Sequence, residues 1–217
     1  MPERILVYGD SNSWGFPPDG SGRRMAPGVR WPGVLAAARG ADVVEAALPG
    51  RTTAHDDPEM LGPAMNGLAH LPVALKSHCP LDRVLVMLGT NDLKRRFAPT
   101  AAAIAANAGR LVDCIRATGG GPGGWDDPAP PRIGVIVPAP LGPGADDPAW
   151  PRHAEWAGGR VVSLELAAAF AAMGRARGVA VFDAGDVVAP APEDPMHLDA
   201  AAHGRLGSAV ARWLESW

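Results

Sequence analysis

A serine near one end of a chain with an aspartate and a histidine close together near the other are the residue types of nucleophilic acyl transfer, and this 217-residue sequence offers them as Ser11, Asp194 and His197. A serine hydroxyl is a weak nucleophile until a base removes its proton during attack. His197 is the natural base. Asp194 stands three residues earlier in Asp194-Pro195-Met196-His197, where it can hold the imidazole in one tautomer and stabilise it once protonated. Each residue also has a plainer use: Ser11 can cap a following helix, and His197 can be a surface histidine with Asp194 as a turn residue before Pro195. His203 is the competing histidine. Its position within the last helix suits a solvated face, and no carboxylate stands in comparable relation to it.

The elements that must bring these residues together are legible as periodic segments. Five aliphatic runs have the length of buried parallel strands: Ile5 to Tyr8, Val43 to Ala47, Val84 to Leu88, Ile133 to Val137 and Val179 to Phe182. Helix-like stretches lie between them, around Trp31 to Arg39, within Met60 to Lys76, Thr100 to Ala117 and Arg160 to Arg177. A last helix opens near Asp199, a good N-cap, with Leu206, Val210, Trp213, Leu214 and Trp217 on one face of a 3.6-residue period. Strands alternating with helices predict a doubly wound three-layer α/β/α sandwich on a five-stranded parallel sheet. Loops that follow the strand C-termini then share one edge, where ligands bind. Ser11 follows the first strand, Gly50 the second, Asn91 the third, and Asp194 with His197 the fifth, so all are expected at that edge. Of two segments rich in glycine and proline, Gly119 to Arg132 falls at the opposite edge, whereas Pro138 to Pro151 can roof the site through Leu141 and Trp150.

Composition narrows the function. At 217 residues the chain suits a single domain over 1–217, and a 47% hydrophobic share argues against disorder. A formal net charge of −3 without a Lys/Arg run offers no nucleic-acid face. Met1-Pro2-Glu3-Arg4 enters the first strand at once, and no stretch is long enough to span a bilayer, so a cytoplasmic protein without membrane partners is expected. Cys79 and Cys114 lie in no zinc-type spacing and read as buried, inert thiols. Seven tryptophans against one tyrosine, with Trp217 at the end, suggest homo-oligomeric self-association.

Locally, Gly50 either lets backbone approach a ligand closely or is a plain turn glycine after Pro49. Asn91 is either a site amide or an Asx-turn residue. Asp10 and Asp92 are expected to organise these loops. His55, Asp56 and Asp57 are adjacent on one loop and do not read as a metal site. Gly119 to Gly124 lacks the lysine and Ser/Thr of a phosphate loop.

Four segments carry a family resemblance: Gly9-Asp10-Ser11-Asn12, Leu48-Pro49-Gly50-Arg51, Gly89-Thr90-Asn91-Asp92 and Asp194-Pro195-Met196-His197. In order and spacing they resemble the blocks of the SGNH hydrolases, also called the GDSL family, with Ser11, Gly50, Asn91 and His197 as the four letters. Trp14-Gly15, Arg51-Thr52-Thr53 and Met87 to Asp92 are similar to the bacterial arylesterase and acyltransferase branch. Asn12 departs from the leucine of the family's name.

The resemblance implies a flavodoxin-like SGNH fold, a catalytic set of Ser11, Asp194 and His197, and an oxyanion hole built from the Ser11 and Gly50 N–H groups and the Asn91 amide. It implies no cofactor or metal, a small ester as substrate, and water or an alcohol as acceptor. Asp10 and Asn12 beside the nucleophile, with Trp14, Leu93, Phe97, Leu141, Trp150 and Met196, are the candidate substrate-binding residues. Carbohydrate acetylesterase and thioesterase or lysophospholipase activities use the same machinery. A non-catalytic binding module on this fold would leave Ser11 idle.

Overall fold

The computed structural model of the chain describes residues 2–216. Five parallel strands form one sheet: β1 (Arg4–Gly9), β2 (Asp42–Ala47), β3 (Arg83–Met87), β4 (Arg132–Val137) and β5 (Ala180–Asp183), in the order β2-β1-β3-β4-β5. These are the five aliphatic runs, with boundaries shifted by a residue or so. The chain steps outward from β1 to β2, then crosses back over β1 to β3, so the order reverses between β1 and β3. Such a reversal opens a crevice at the carboxyl ends of the strands.

Alternation along β1 shows why both faces need covering. Leu6 and Tyr8 enter one core with Val84, Val86, Ile104, Leu111 and Phe170. Ile5 and Val7 enter the other with Trp31, Leu35, Leu206 and Val210. The first core lies under α3 (Gly67–His78), α4 (Ala101–Thr118) and α6 (Gly159–Arg177); the second lies under α2 (Trp31–Arg39) and α7 (Ala200–Trp213). Two short helices, α1 (Ser11–Trp14) and α5 (His153–Trp156), sit in the connections. No described helix is long and apolar enough to cross a membrane.

Helix α7 starts as expected, with the Asp199 carboxylate accepting the Ala202 N–H at 2.7 Å. Leu206, Val210 and Leu214 are buried, and Trp213 packs against Phe182 at a ring separation of 5.4 Å. Trp217 lies outside the described residues. Helix α3 starts later than the apolar pattern suggests. Residues 57–66 are instead consumed by a turn bridging Asp57 to Gly62 and a 3-10 segment over Pro63–Met65, and Asn66 then caps the helix.

His203 departs from the sequence expectation. It is fully buried, not solvated, and its Nδ1 accepts the Trp31 N–H at 3.2 Å. That bond supplies the start of α2, where Arg30 makes no side-chain cap. Burial pushes the His203 pKa down to about 4. Cys79 and Cys114 are free and half-buried rather than buried.

Candidate active site

Strand β1 ends at Gly9, and the next three residues turn straight into α1. Asp10 is the cap of that helix, its carboxylate accepting the Asn12 N–H at 3.1 Å, so the capping role does not fall to Ser11. Gly15, at a φ of 87°, ends the helix after one turn by donating its N–H to the Ser11 carbonyl at 2.9 Å. Ser11 is therefore the first helical residue, a position whose N–H has no intrahelical acceptor.

The loop after β5 brings His197 to this serine. The imidazole Nδ1 lies 2.6 Å from Asp194 Oδ2, and Nε2 lies 3.1 Å from Ser11 Oγ. With Asp194 accepting the Nδ1–H bond, Nε2 is left as the acceptor for the serine hydroxyl. The second carboxylate oxygen of Asp194 accepts the N–H groups of Met196 at 2.9 Å and His197 at 3.4 Å, so one side chain shapes the loop and orients the ring. Burial alone would raise the Asp194 pKa, but the bond and charge of His197 and these two N–H donors outweigh it and hold the carboxyl below its usual range. Phe16 packs on the imidazole, with ring centroids 4.7 Å apart.

Two further residues reach the cavity from the loops after β2 and β3. Gly50 has a φ of 89°, a left-handed conformation that favours glycine, and a Cβ there would also have to displace the flexible end of Met60. Asn91 is almost wholly buried, and its Nδ2 has no partner among the described residues. An amide donor left so costs about 1–3 kcal/mol unless a ligand accepts from it. Asp92 ties these loops together by accepting the Thr53 N–H at 2.9 Å and the Thr53 hydroxyl. Burial raises the Asp92 carboxyl to about 6, and that of Asp10 likewise to about 6.

Ser11, Gly50, Asn91 and His197 meet around a cavity of about 210 Å³, together with Phe16, Pro49, Met60, Arg152 and Met196. Most of the expected pocket residues lie elsewhere. Asp10 caps α1, and Asn12 faces the backbone of the His197 loop. Leu93 and Leu141 belong to the hydrophobic core. Trp14 lies under the Arg24 guanidinium, Phe97 stacks on His55 at 4.7 Å, and Trp150 packs on Trp156 at 6.4 Å. Of that group only Met196 reaches the cavity. The segment after β4 buttresses rather than roofs the site, as the Gly142 N–H donates to the Pro195 carbonyl at 2.8 Å.

Sequence reasoning missed Phe16, Pro49, Met60 and Arg152. Phe16 had a signal, since it lies five residues past the nucleophile in the same loop. Met60 and Arg152 had none, because an ion network positions them. Lys94 and Asp57, both with wholly buried side chains, pair at 2.7 Å. Arg96 bridges Asp57 at 3.0 Å and Glu155 at 2.9 Å, and Arg152 bonds Glu155 at 2.9 Å. The Lys94 ammonium also donates to Met60 Sδ at 3.3 Å. Asp57 is thus engaged with cations, Asp56 accepts from Asn66 at 2.9 Å and His55 stacks on Phe97. No cluster of three metal-binding side chains occurs among the described residues.

The arrangement can pass a proton from Ser11 to His197 and present N–H donors beside the attacked carbon, which is the chemistry of ester cleavage. Comparisons with known proteins agree. Residues 7–205 match the model of the GDSL-like lipase/acylhydrolase family. The fold superposes on the inhibitor-bound aryl esterase of M. smegmatis with a TM-score of 0.89 at 38% identity, covering 99% of each chain. A carbohydrate acetylesterase from Sinorhizobium meliloti matches with the same TM-score at 36% identity, again over 99% of both chains. No curated protein matches by sequence. A family match over residues 7–205, beside a serine, glycine, asparagine and histidine that converge on one cavity, makes this chain a member of the GDSL-like lipase/acylhydrolase family, the SGNH ester hydrolases.

Proposed function

We propose that the protein is a serine esterase that cleaves small carboxylic esters through an acyl-enzyme on Ser11. The observation that supports this reading most is the hydrogen-bonded chain from Asp194 through His197 to Ser11, with the unpartnered Asn91 amide beside it. Ser11 Oγ attacks the ester carbonyl as His197 Nε2 takes its proton. The carbonyl oxygen becomes an oxyanion that accepts from the Ser11 and Gly50 N–H groups and from Asn91 Nδ2, each donor lowering the barrier by about 3 kcal/mol. The intermediate collapses, the alkoxide leaves with the proton from His197, and Ser11 retains the acyl group. Water, or a second alcohol, then gives a proton to His197 and attacks the acyl carbon, releasing Ser11 as it regains that proton. Asp194 stays ionised throughout and stabilises the imidazolium.

A cavity of about 210 Å³ favours short acyl groups such as acetyl over fatty chains. Similarity to an aryl esterase points to aryl esters; the carbohydrate acetylesterase, with the same TM-score, supports acetylated sugars as a second reading. An alcohol acceptor is expected to compete with water where the cavity holds little of it.

The test is a panel of aryl acetates, sugar acetates and a chain-length series, each with and without an added alcohol, run beside Ser11→Ala. Turnover of short esters by the wild type and a loss of about 10³-fold or more in Ser11→Ala is expected. Equal turnover in the two proteins contradicts the reading.

A further inference from the structure

We infer that Asn12 is a positioning residue for His197, an inference that rests on the proposed roles of Ser11 and His197. Asn12 follows the nucleophile directly, where the family's name has leucine. It is buried, and its amide spans the gap to the loop after β5. Nδ2 donates to the Met196 carbonyl at 3.0 Å, and Oδ1 accepts the Leu198 N–H at 3.1 Å. These two backbone groups stand immediately before and after His197, so one planar amide brackets the histidine in the way a neighbouring strand would. The orientation of the amide follows from its partners. Turned over, it would set N–H against N–H and oxygen against oxygen.

The bracket matters because of what holds its other end. The Asn12 N–H is fixed by Asp10 at 3.1 Å, and one peptide unit joins Asn12 to Ser11. The backbone of His197 is thereby referenced to the nucleophile itself, over sequence separations of 184 and 186. Asp194 holds the same loop from the opposite side and orients the ring. Asp194 thus sets the tautomer, and Asn12 sets the separation between Nε2 and Ser11 Oγ. A leucine at this position has no polar group with which to make either bond. Asn12 is also absent from the residues that line the cavity, which separates its role from substrate contact.

The experiment is steady-state hydrolysis of an aryl acetate by Asn12→Ala and Asn12→Asp, with thermal melts alongside. Replacing the bracket is expected to lower kcat about tenfold or more while KM moves less than about twofold, the scale of losing one to two net hydrogen bonds from the reacting geometry. Asn12→Asp keeps the size and the acceptor but turns a charged oxygen on the Met196 carbonyl, so its kcat is expected to fall at least as far. A kcat within about twofold of wild type in both variants, or a raised KM with kcat kept, overturns the inference. The second measurement is a double-mutant cycle. In a His197→Ala background Asn12→Ala is expected to leave the residual rate unchanged, because the residue it positions is gone. A repeated tenfold loss there would show that Asn12 acts through something else. If Ser11→Ala retains full turnover, the proposed function fails first; if Ser11→Ala is inactive and Asn12 variants are not impaired, only this inference falls.

Discussion

His197 and His203 are six residues apart, both are buried, and they belong to regions with opposite uses for an imidazole. At the carboxyl edge of the sheet, His197 has a carboxylate on one nitrogen and a serine hydroxyl on the other. Between α2 and α7, His203 accepts one backbone N–H, and its Nε2 has no partner among the described residues. Burial without a bonded carboxylate holds His203 neutral, with a pKa of about 4. What separates the two rings is therefore their partners rather than their burial: a carboxylate stands behind His197 and none is bonded to His203, and the proposed proton relay needs that carboxylate.

The sharpest way to break this comparison is to remove each histidine in turn. His197→Ala is expected to lower kcat by about 10³–10⁴-fold, and Asp194→Asn by a similar factor through the wrong tautomer. His203→Asn, which keeps an acceptor for the Trp31 N–H, is expected to leave kcat within about threefold of wild type. Steady-state kinetics decide, and equal losses at both histidines would erase the distinction.

A third buried region extends the lesson to ion pairs. Lys94→Met leaves Asp57 in the interior with Arg96 as its remaining charged partner and the Glu59 N–H as a further donor, at a cost of about 1–3 kcal/mol in urea unfolding. Because the same network carries Met60 and Arg152 to the cavity, KM should rise as well. Stability unchanged within about 0.5 kcal/mol would show that the pair is dispensable. Asn91→Ala should cost about 10²-fold or more in kcat with little change in melting temperature, since its Nδ2 has no structural partner to lose.

The smallest expected net effect is in the pH dependence of stability, where groups of opposite sense partly cancel. His203 has a folded pKa of about 4 against an ordinary value of 6.5, so the unfolded chain binds the proton more readily. Its contribution is fully present above about pH 6.5 and is lost as pH falls towards 4, reaching about 3 kcal/mol at most. Asp10 and Asp92, both raised to about 6, act in the opposite sense, favouring the fold as pH falls from 6 towards 4. The comparison must therefore be between wild type and His203→Asn, whose melting temperature should fall less on acidification. Parallel curves for the two proteins would contradict the assignment.

The fold and the convergence of the candidate residues on one edge were legible because these residues lie where chain direction changes. Ser11, Gly50, Asn91 and His197 each follow a strand, and parallel strands put their ends on one edge whatever the side chains do. Asp199 was readable as a cap from its place ahead of an apolar period. The cavity wall was not. Leu93 and Leu141 have the same chemistry as wall residues, and only packing sends them into the core. Met60 arrives through a turn closed between Asp57 and Gly62, and Arg152 through Glu155, neither of which is a local pattern. His203, expected on a solvated face, did carry a signal of burial. It precedes Leu206 by three residues and Val210 by seven, on the apolar face of α7.

The central claim is that Ser11 is made nucleophilic by His197 at this one edge. Incubating the protein with an aryl fluorophosphonate and mapping the adduct by peptide mass spectrometry tests it directly. A single adduct on the peptide that contains Ser11, absent from Ser11→Ala and strongly slowed in His197→Ala, is the result this account predicts. Labelling of another residue, or labelling of Ser11 at an undiminished rate without His197, would contradict it.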